Sequence, residues 1–139
     1  MQPIDYPKAL GTAVLVLALN MLVTTAAIFA WSLLVDPGHE AAYYQAGAPK
    51  IAALTAPLGG AALLCLASWV LGRRRPGRHA LLFAATIWAA YAVIDIAVGL
   101  PMATPAQLFT PVFAVSLGAG LLASLIGGSL AARRDAAAG

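Results

Sequence analysis

The chain alternates between long apolar segments and short connections that hold nearly all of its charged residues. Uncharged stretches cover residues 9–35, 51–72, 80–94 and 106–132, and the third is as long as a membrane span if it continues past Asp95 to residue 100. About 20 apolar residues suffice for a helix to cross the roughly 30 Å hydrocarbon core of a membrane. The pattern predicts four membrane-spanning helices, at about 9–35, 51–72, 79–100 and 108–131.

The predicted fold class is all-α, a polytopic four-transmembrane-helix bundle formed by a single domain over residues 1–139. No segment has the two-residue alternation of a membrane β-strand, and in lipid each segment must satisfy its own backbone hydrogen bonds. Residues 36–50 form an outer loop, in which 39–46 is long enough for a short interfacial helix. Turn and helix-boundary residues mark the connections: Asp36-Pro37-Gly38, Pro49, Arg75-Pro76-Gly77, Pro101 and Pro105.

Composition excludes several other classes of protein. Of the 139 residues, 62% are hydrophobic and 9% are charged, whereas a soluble domain carries about 25% charged residues. The formal net charge of +3 is too small and too clustered for a nucleic-acid interface. One cysteine, Cys65, and two histidines fall short of the roughly four ligands of a structural zinc site. No motif for a cofactor is present, so we expect neither a metal nor a cofactor.

The basic residues predict the orientation. Lys8 precedes the first helix and only Lys50 lies at the opposite side of the bundle. The positive-inside rule therefore places both termini in the cytoplasm, with the chain in a bacterial inner membrane. The arginines between helices two and three are also expected to attract anionic lipid headgroups, so membrane lipids are the expected partners. The arginines of that connection and of the C-terminal segment are Arg73, Arg74, Arg75, Arg78, Arg133 and Arg134.

Small residues predict where the helices pack most closely. Helix four carries Ser116, Gly120, Ser124 and Gly128 at four-residue steps, and helix two has a similar stripe that includes Gly60. Such stripes lie on one helix face and allow close approach in a membrane. We expect helices two and four to be in tightest contact, either with each other or with a second subunit. This leaves a homo-oligomer or a larger membrane complex open.

Polar residues within the predicted spans are the candidates for function. Asn20, near the middle of helix one, is expected to form a hydrogen bond with a neighbouring helix. Asp95 is the acidic residue within a span and lies roughly 7 Å from the outer end of its helix, with Tyr91 on the same face. It is interpreted either as a proton or cation site in an outward-open cavity or, preferably, as an ion pair with Lys50.

The outer loop adds His39 and Glu40 to the same side of the membrane as Asp95. These groups are candidates for weak cation binding or for titration. The helical zinc-protease signature is incomplete, because Tyr43 stands where its second histidine would be.

Three functions remain open on sequence alone. The shortage of intramembrane polar residues favours a non-catalytic accessory or assembly component, or a small oligomer held by its helix faces. The alternative is a small proton- or cation-coupled transporter or channel that uses Asp95. A membrane enzyme with an outward-facing site ranks third, because no acid–base pair of defined spacing identifies a catalytic residue.

Overall fold

The computed structural model describes residues 2–74, 79–101, 104, 106 and 109–137, with side chains of the last stretch as far as Arg133. Within these residues the chain is all-helical and contains no strand. Each of its four helices is long and apolar enough to cross a membrane. This confirms the predicted all-α class and indicates a membrane protein. The helices are α1 Asp5–Ala30, α2 Ala41–Gly72, α3 Ala80–Gly99 and α4 Pro111–Ala137.

Helices α2 and α3 form the centre of the bundle. α1 packs against both on one side and α4 packs against both on the other. Asn20 bonds to Tyr91 while Lys8 shares a groove with Phe83, so α1 runs with α3. Ser68 bonds to Ser124 while Gly72 meets Ala131, so α2 runs with α4. Lys8 and the end of α2 therefore lie at one end, which we term the basic end. The opposite end, with the start of α2 and the end of α3, is termed the loop end.

Small side chains make up much of the interior around a few large ones such as Phe83 and Ile87, while most large apolar side chains face outward. Ala9, Ala13 and Ala84 are completely buried. Leu34 and Leu58, by contrast, are 81% and 72% exposed. In lipid, large apolar side chains can face the acyl chains without cost, while close van der Waals packing of small residues holds the helices together. This distribution is the one expected of a bundle whose surroundings are hydrocarbon.

Two serines link three helices near the centre of the bundle. Ser124 of α4 donates its hydroxyl hydrogen to the Ala84 carbonyl oxygen of α3 at 2.9 Å. Its oxygen lies 2.7 Å from the hydroxyl of Ser68 in α2. Because Ser124 has a single hydroxyl hydrogen, Ser68 is the donor in the second bond. Both side chains are fully buried, so water cannot reach either hydroxyl. The two hydrogen bonds supply the partners that these hydroxyls need.

Two adjacent glycines bring α4 against different neighbours. A Cβ atom on Gly127 would overlap the backbone carbonyl of Cys65 in α2, and one on Gly128 would lie 2.8 Å from the Ala84 Cβ in α3. The small-residue face of α4 therefore packs against α2 and α3 within the chain. α2 and α4 form the most extensive helix pair, and their contact is with each other.

The predicted outer loop of residues 36–50 is shorter in the structure, because α2 begins at Ala41 and runs through Pro49. α1 continues as a π-helical turn, Trp31–Val35, and the Trp31 ring occupies the space beside Gly47 that a Cβ would fill. Trp31 also packs on Tyr44, with ring centroids 5.7 Å apart. These contacts stabilise the added helical turns, while Pro49 removes only one backbone donor.

The other boundaries shift by a few residues. α1 begins at Asp5, whose buried carboxylate accepts a hydrogen bond from the Gln2 backbone N–H at 2.9 Å. An acidic residue in the first turn stabilises a helix through the helix dipole. α4 continues to Ala137 rather than 131, since its alanines and arginines have high helix propensity. The predicted start of helix four at 108 lies outside the described residues, as does the side chain of Arg134. The other residues named from the sequence that lie outside them are Arg75, Pro76, Gly77, Arg78 and Pro105.

Candidate functional site

A crevice of about 320 Å³ opens at the loop end between the helices. It continues into a narrow recess of about 10 Å³ between α2, α3 and α4, which is about the room that one water molecule needs. Asp95 lies where the crevice meets the recess, together with Tyr91 and Ser116. All four helices contribute to the lining of the crevice, whose polar or helix-breaking members are Asn20, Pro57, Tyr91, Asp95, Thr110 and Ser116.

Asp95 is half-buried and forms no hydrogen bond or ion pair with any other described residue. The predicted ion pair with Lys50 is not formed. Lys50 is exposed and does not line the crevice. Pro57 and Asp95 share the crevice, whereas Lys50 lies seven residues before Pro57 in α2, about 10 Å further toward the loop end. Among the described residues the carboxylate therefore has no cationic partner.

Asn20 supplies a second unpaired oxygen. The side chain is only 6% exposed, and its amide nitrogen donates to the Tyr91 hydroxyl oxygen at 3.3 Å, which is an interhelical bond of the kind expected. Its carbonyl oxygen Oδ1 is buried and has no hydrogen-bond partner, and the same is true of Thr24 Oγ1 one turn further along α1. An unpaired buried polar atom costs about 1–3 kcal/mol. Asn20 Oδ1 is therefore a buried acceptor beside the crevice whose burial no contact with a described residue offsets.

Glycines and proline in α2 shape the wall opposite Asn20. A Cβ on Gly59 would lie 2.7 Å from Asn20 Oδ1, and one on Gly60 would lie 3.2 Å from the Tyr91 hydroxyl. Gly60, which the sequence placed on the packing stripe of helix two, thus lets α2 approach α1 and α3. Pro57 lacks an N–H, so the carbonyl of Ala53, a residue that also lines the crevice, loses its helical donor.

The side-chain atoms of the crevice that can bind a proton or a cation are all oxygen atoms. They belong to a carboxylate, an amide carbonyl and hydroxyls, and Asp95 is the one charged side chain among the described lining residues. Oxygen ligands suit protons and hard cations rather than soft transition metals. One negative charge is balanced by one proton or one monovalent cation. The crevice has the chemistry of a site for such a ligand.

His39 and Glu40 do not join Asp95, contrary to the grouping drawn from the sequence. Neither residue lines the crevice. His39 Nε2 instead lies 3.0 Å from the Asp36 carboxylate, which also accepts a hydrogen bond from the Tyr43 hydroxyl at 2.5 Å. Hydrogen bonds from Tyr43 and His39 hold the pKa of Asp36 below its ordinary value. These contacts fasten the end of α1 to the start of α2, so their role is to fix the turn.

The arginines near the end of α2 have separate surroundings. The Arg73 guanidinium lies 4.7 Å from the centre of the Trp69 ring, a cation–π contact that holds it against its own helix. Arg74 lines a groove between α1, α2 and α3. No three His, Cys, Asp or Glu side chains come together to hold a metal in the part of the chain that the structure describes.

Trp88 and Thr24, which share helix faces with Asp95 and Asn20 in the sequence, are further polar contributors. The Trp88 indole N–H donates to the Leu117 carbonyl oxygen at 2.9 Å, joining α3 to α4 beside the recess. Thr24 lies one turn after Asn20 on the same face of α1, as the four-residue spacing predicts. Ser116, predicted to serve helix packing, lines the crevice as well.

Comparison with protein-family models, curated proteins and solved structures gives no match. Because a fold does not by itself determine a function, the functional argument depends on the chemistry of the crevice.

Proposed function

We propose that the protein is a small membrane transporter in which Asp95 binds a proton or a monovalent cation within the crevice. The unpaired Asp95 carboxylate is the observation that carries this proposal. A charged side chain at the centre of a membrane helix costs about 2.5–3.5 kcal/mol, and less toward its ends. Because no basic residue of the described chain pairs with Asp95, a ligand from solution is the partner that would offset this cost.

The neighbouring polar atoms support binding at this position. Asn20 Oδ1 is buried and unpaired, and the Tyr91 hydroxyl accepts from Asn20, so its own hydrogen remains to be donated. The two residues come from α1 and α3, and Ser116 adds a hydroxyl from α4. A ligand at Asp95 therefore contacts several helices at once, and its arrival or departure changes how they are held together.

Close packing beyond the recess favours a carrier over an open channel. Leu64, which lines the recess, is 1% exposed, and the fully buried Ser68 and Ser124 follow toward the basic end. A ligand in the crevice has no continuous path through these side chains. Transport would require α4 or α2 to shift so that the site opens toward the basic end, as in alternating access.

The other two functions have less support. A homo-oligomer was suggested by the small-residue face of helix four, and that face packs on α2 and α3. An outward-facing enzyme site required His39, Glu40 and Asp95 together, and only Asp95 lines the crevice. Co-purification of a partner with a protein that transports nothing would favour the accessory role instead.

Flux measurements on purified protein in liposomes test the proposal. Protons, Na⁺, K⁺ and tetraethylammonium are supplied in turn, with internal indicators recording uptake. We expect flux of at least one of them, and a loss of tenfold or more in Asp95→Asn. Asp36→Asn is the matched control, because it also removes one carboxylate but does so outside the crevice. Flux that persists in Asp95→Asn, or wild-type liposomes that move none of the four, would refute the transporter.

We also propose that the basic end faces the cytoplasm of a bacterial inner membrane, so that both termini are cytoplasmic. Lys8, Arg73, Arg74 and Arg133 support this orientation, since all lie near helix ends on one side of the bundle. A C-terminal reporter that fluoresces only in the cytoplasm is expected to be bright. Activity of a C-terminal reporter that functions only in the periplasm would reverse the orientation.

A further inference from the structure

A large groove lies at the basic end, far from Asp95. Its wider part has a volume of about 630 Å³ and is bounded by α1, α2 and α3. A second, narrower part of about 240 Å³ runs along α1 and α2 toward the centre of the bundle. Thr12, Leu15 and Leu71 line both parts. The two parts therefore form one groove, which we term the basic-end groove.

The wide part of this groove is positively charged. Lys8 from α1 and Arg74 from the residues after α2 both line it. Both side chains are exposed, and neither pairs with an acidic side chain of the described residues. Asp5 lies one turn before Lys8 but is buried and does not line the groove. The two cations are therefore available to an anion from outside the chain.

The narrow part is almost entirely apolar. Its walls extend from Thr12 to Leu19 in α1 and from Leu71 to Leu63 in α2, which is about 10–12 Å along each helix. Leu15 and Leu66 line it and are 59% and 52% exposed. A free phosphate ion would meet only the cations of the wide part. A molecule with an anionic head and a hydrocarbon tail would cover them and meet both cations.

We propose that the basic-end groove binds one anionic phospholipid. Its headgroup phosphate lies between Lys8 and Arg74, and one of its acyl chains follows the groove between Leu15 and Leu66. The site is separate from the Asp95 crevice, since the two share no lining residue. The inference goes beyond the attraction of lipids by an arginine-rich connection, because it assigns a defined position to both the head and the tail of one lipid.

Native mass spectrometry of the purified full chain tests this proposal, with dioleoyl-phosphatidylglycerol and dioleoyl-phosphatidylcholine as probes in neutral detergent. We expect one phosphatidylglycerol to be retained, about tenfold more tightly than phosphatidylcholine. Lys8→Gln and Arg74→Gln should each weaken retention about fivefold, the effect of one basic residue near a membrane surface. Arg133→Gln is the matched control. It removes an exposed cation near the end of α4 that does not line the groove.

A second variant tests occupation of the groove without changing charge. Gly11 lines the wide part, and a Cβ there would meet no atom within 4 Å, so Gly11→Leu should fill the groove without disturbing the fold. We expect weaker phosphatidylglycerol retention at an unchanged melting temperature. Equal retention of the two lipids, an Arg133→Gln effect as large as that of Lys8→Gln, full retention by Gly11→Leu, or displacement of the lipid by equimolar inorganic phosphate would each overturn the proposal.

Discussion

Gly127 of α4 packs directly on the backbone of α2, and this contact gives a sharp test of the fold. A Cβ at Gly127 would lie far inside the roughly 3.3 Å at which a carbon atom normally meets a carbonyl oxygen, and its neighbour is the Cys65 backbone. Backbone cannot rotate away as a side chain can, so α2 and α4 must separate. Forced overpacking costs about 1–3 kcal/mol, occasionally more.

The expected loss for Gly127→Ala follows from two opposing terms. Overpacking, together with weakening of the nearby bond between Ser68 and Ser124, lowers the free energy of unfolding. The better helix propensity of alanine, about 1 kcal/mol, opposes this loss but acts equally in a second Gly→Ala variant of the same helix, so it cancels in a comparison. Gly118 is the matched control, because it is exposed in the same helix and a Cβ there would meet nothing within 4 Å. We expect Gly127→Ala to be about 2–3 kcal/mol less stable than Gly118→Ala.

Reversible unfolding by dodecyl sulfate in mixed micelles, followed by far-ultraviolet circular dichroism, measures this difference. Both variants carry the same chemical change on one helix, so differences in expression or micelle binding cancel. Equal stabilities of the two variants would refute the reasoning, since they would show that α2 and α4 are not in backbone contact at Gly127. A Gly118→Ala variant less stable than wild type would show that the exposed face of α4 is in contact with something else.

Three further predictions concern side chains. Ser124→Ala should lower the free energy of unfolding by about 1 kcal/mol in the same assay, because Ser68 loses its acceptor; wild-type stability would contradict the three-helix link. Tyr91→Phe should change stability by less than about 1 kcal/mol yet reduce flux severalfold, and undiminished flux would remove Tyr91 from the site. The folded state lowers the pKa of Asp36 and so favours its ionised form. The contribution of this carboxylate to the stability of the turn is therefore complete above the ordinary carboxyl pKa, and it is lost as the pH falls through the lowered pKa of the folded state. Hydrogen exchange of residues 36–44, corrected for intrinsic rates, should therefore accelerate in acid for wild type but not for Asp36→Asn, and identical profiles would contradict this.

The number and limits of the helices follow from sequence wherever a local rule determines them. A bilayer fixes the length of apolar segment that can cross it, so the four spans were predictable. Gly38 adopts a φ of 92°, a conformation that glycine tolerates best, and Asp36-Pro37-Gly38 correctly predicted the end of the first helix. The start of α2 was not predictable, because the turns before Pro49 are held by the packing of Trp31 against Gly47.

The candidate site was predictable in its residues but not in their pairing. Asp95 and Asn20 stood out because polar groups are rare in apolar spans. The absence of a bond from Asp95 to Lys50 depends on the axial offset between α2 and α3, which no local pattern encodes. Gly127 was missed for a similar reason. A four-residue spacing selects Gly128, and only the rotation of α4 about its axis decides which glycine faces α2.

Asp95 is the residue on which the proposed function depends most, and infrared difference spectroscopy observes its carboxyl group directly. Spectra of the protein in lipid films are compared between acid and alkaline pH, and with and without the transported cation. An unpaired, accessible carboxyl group predicts a band that responds to pH or cation in wild type and in Lys50→Gln, and that is absent in Asp95→Asn. A carboxyl band whose frequency shifts in Lys50→Gln would contradict the site. So would an Asp95 band that responds to neither pH nor cation.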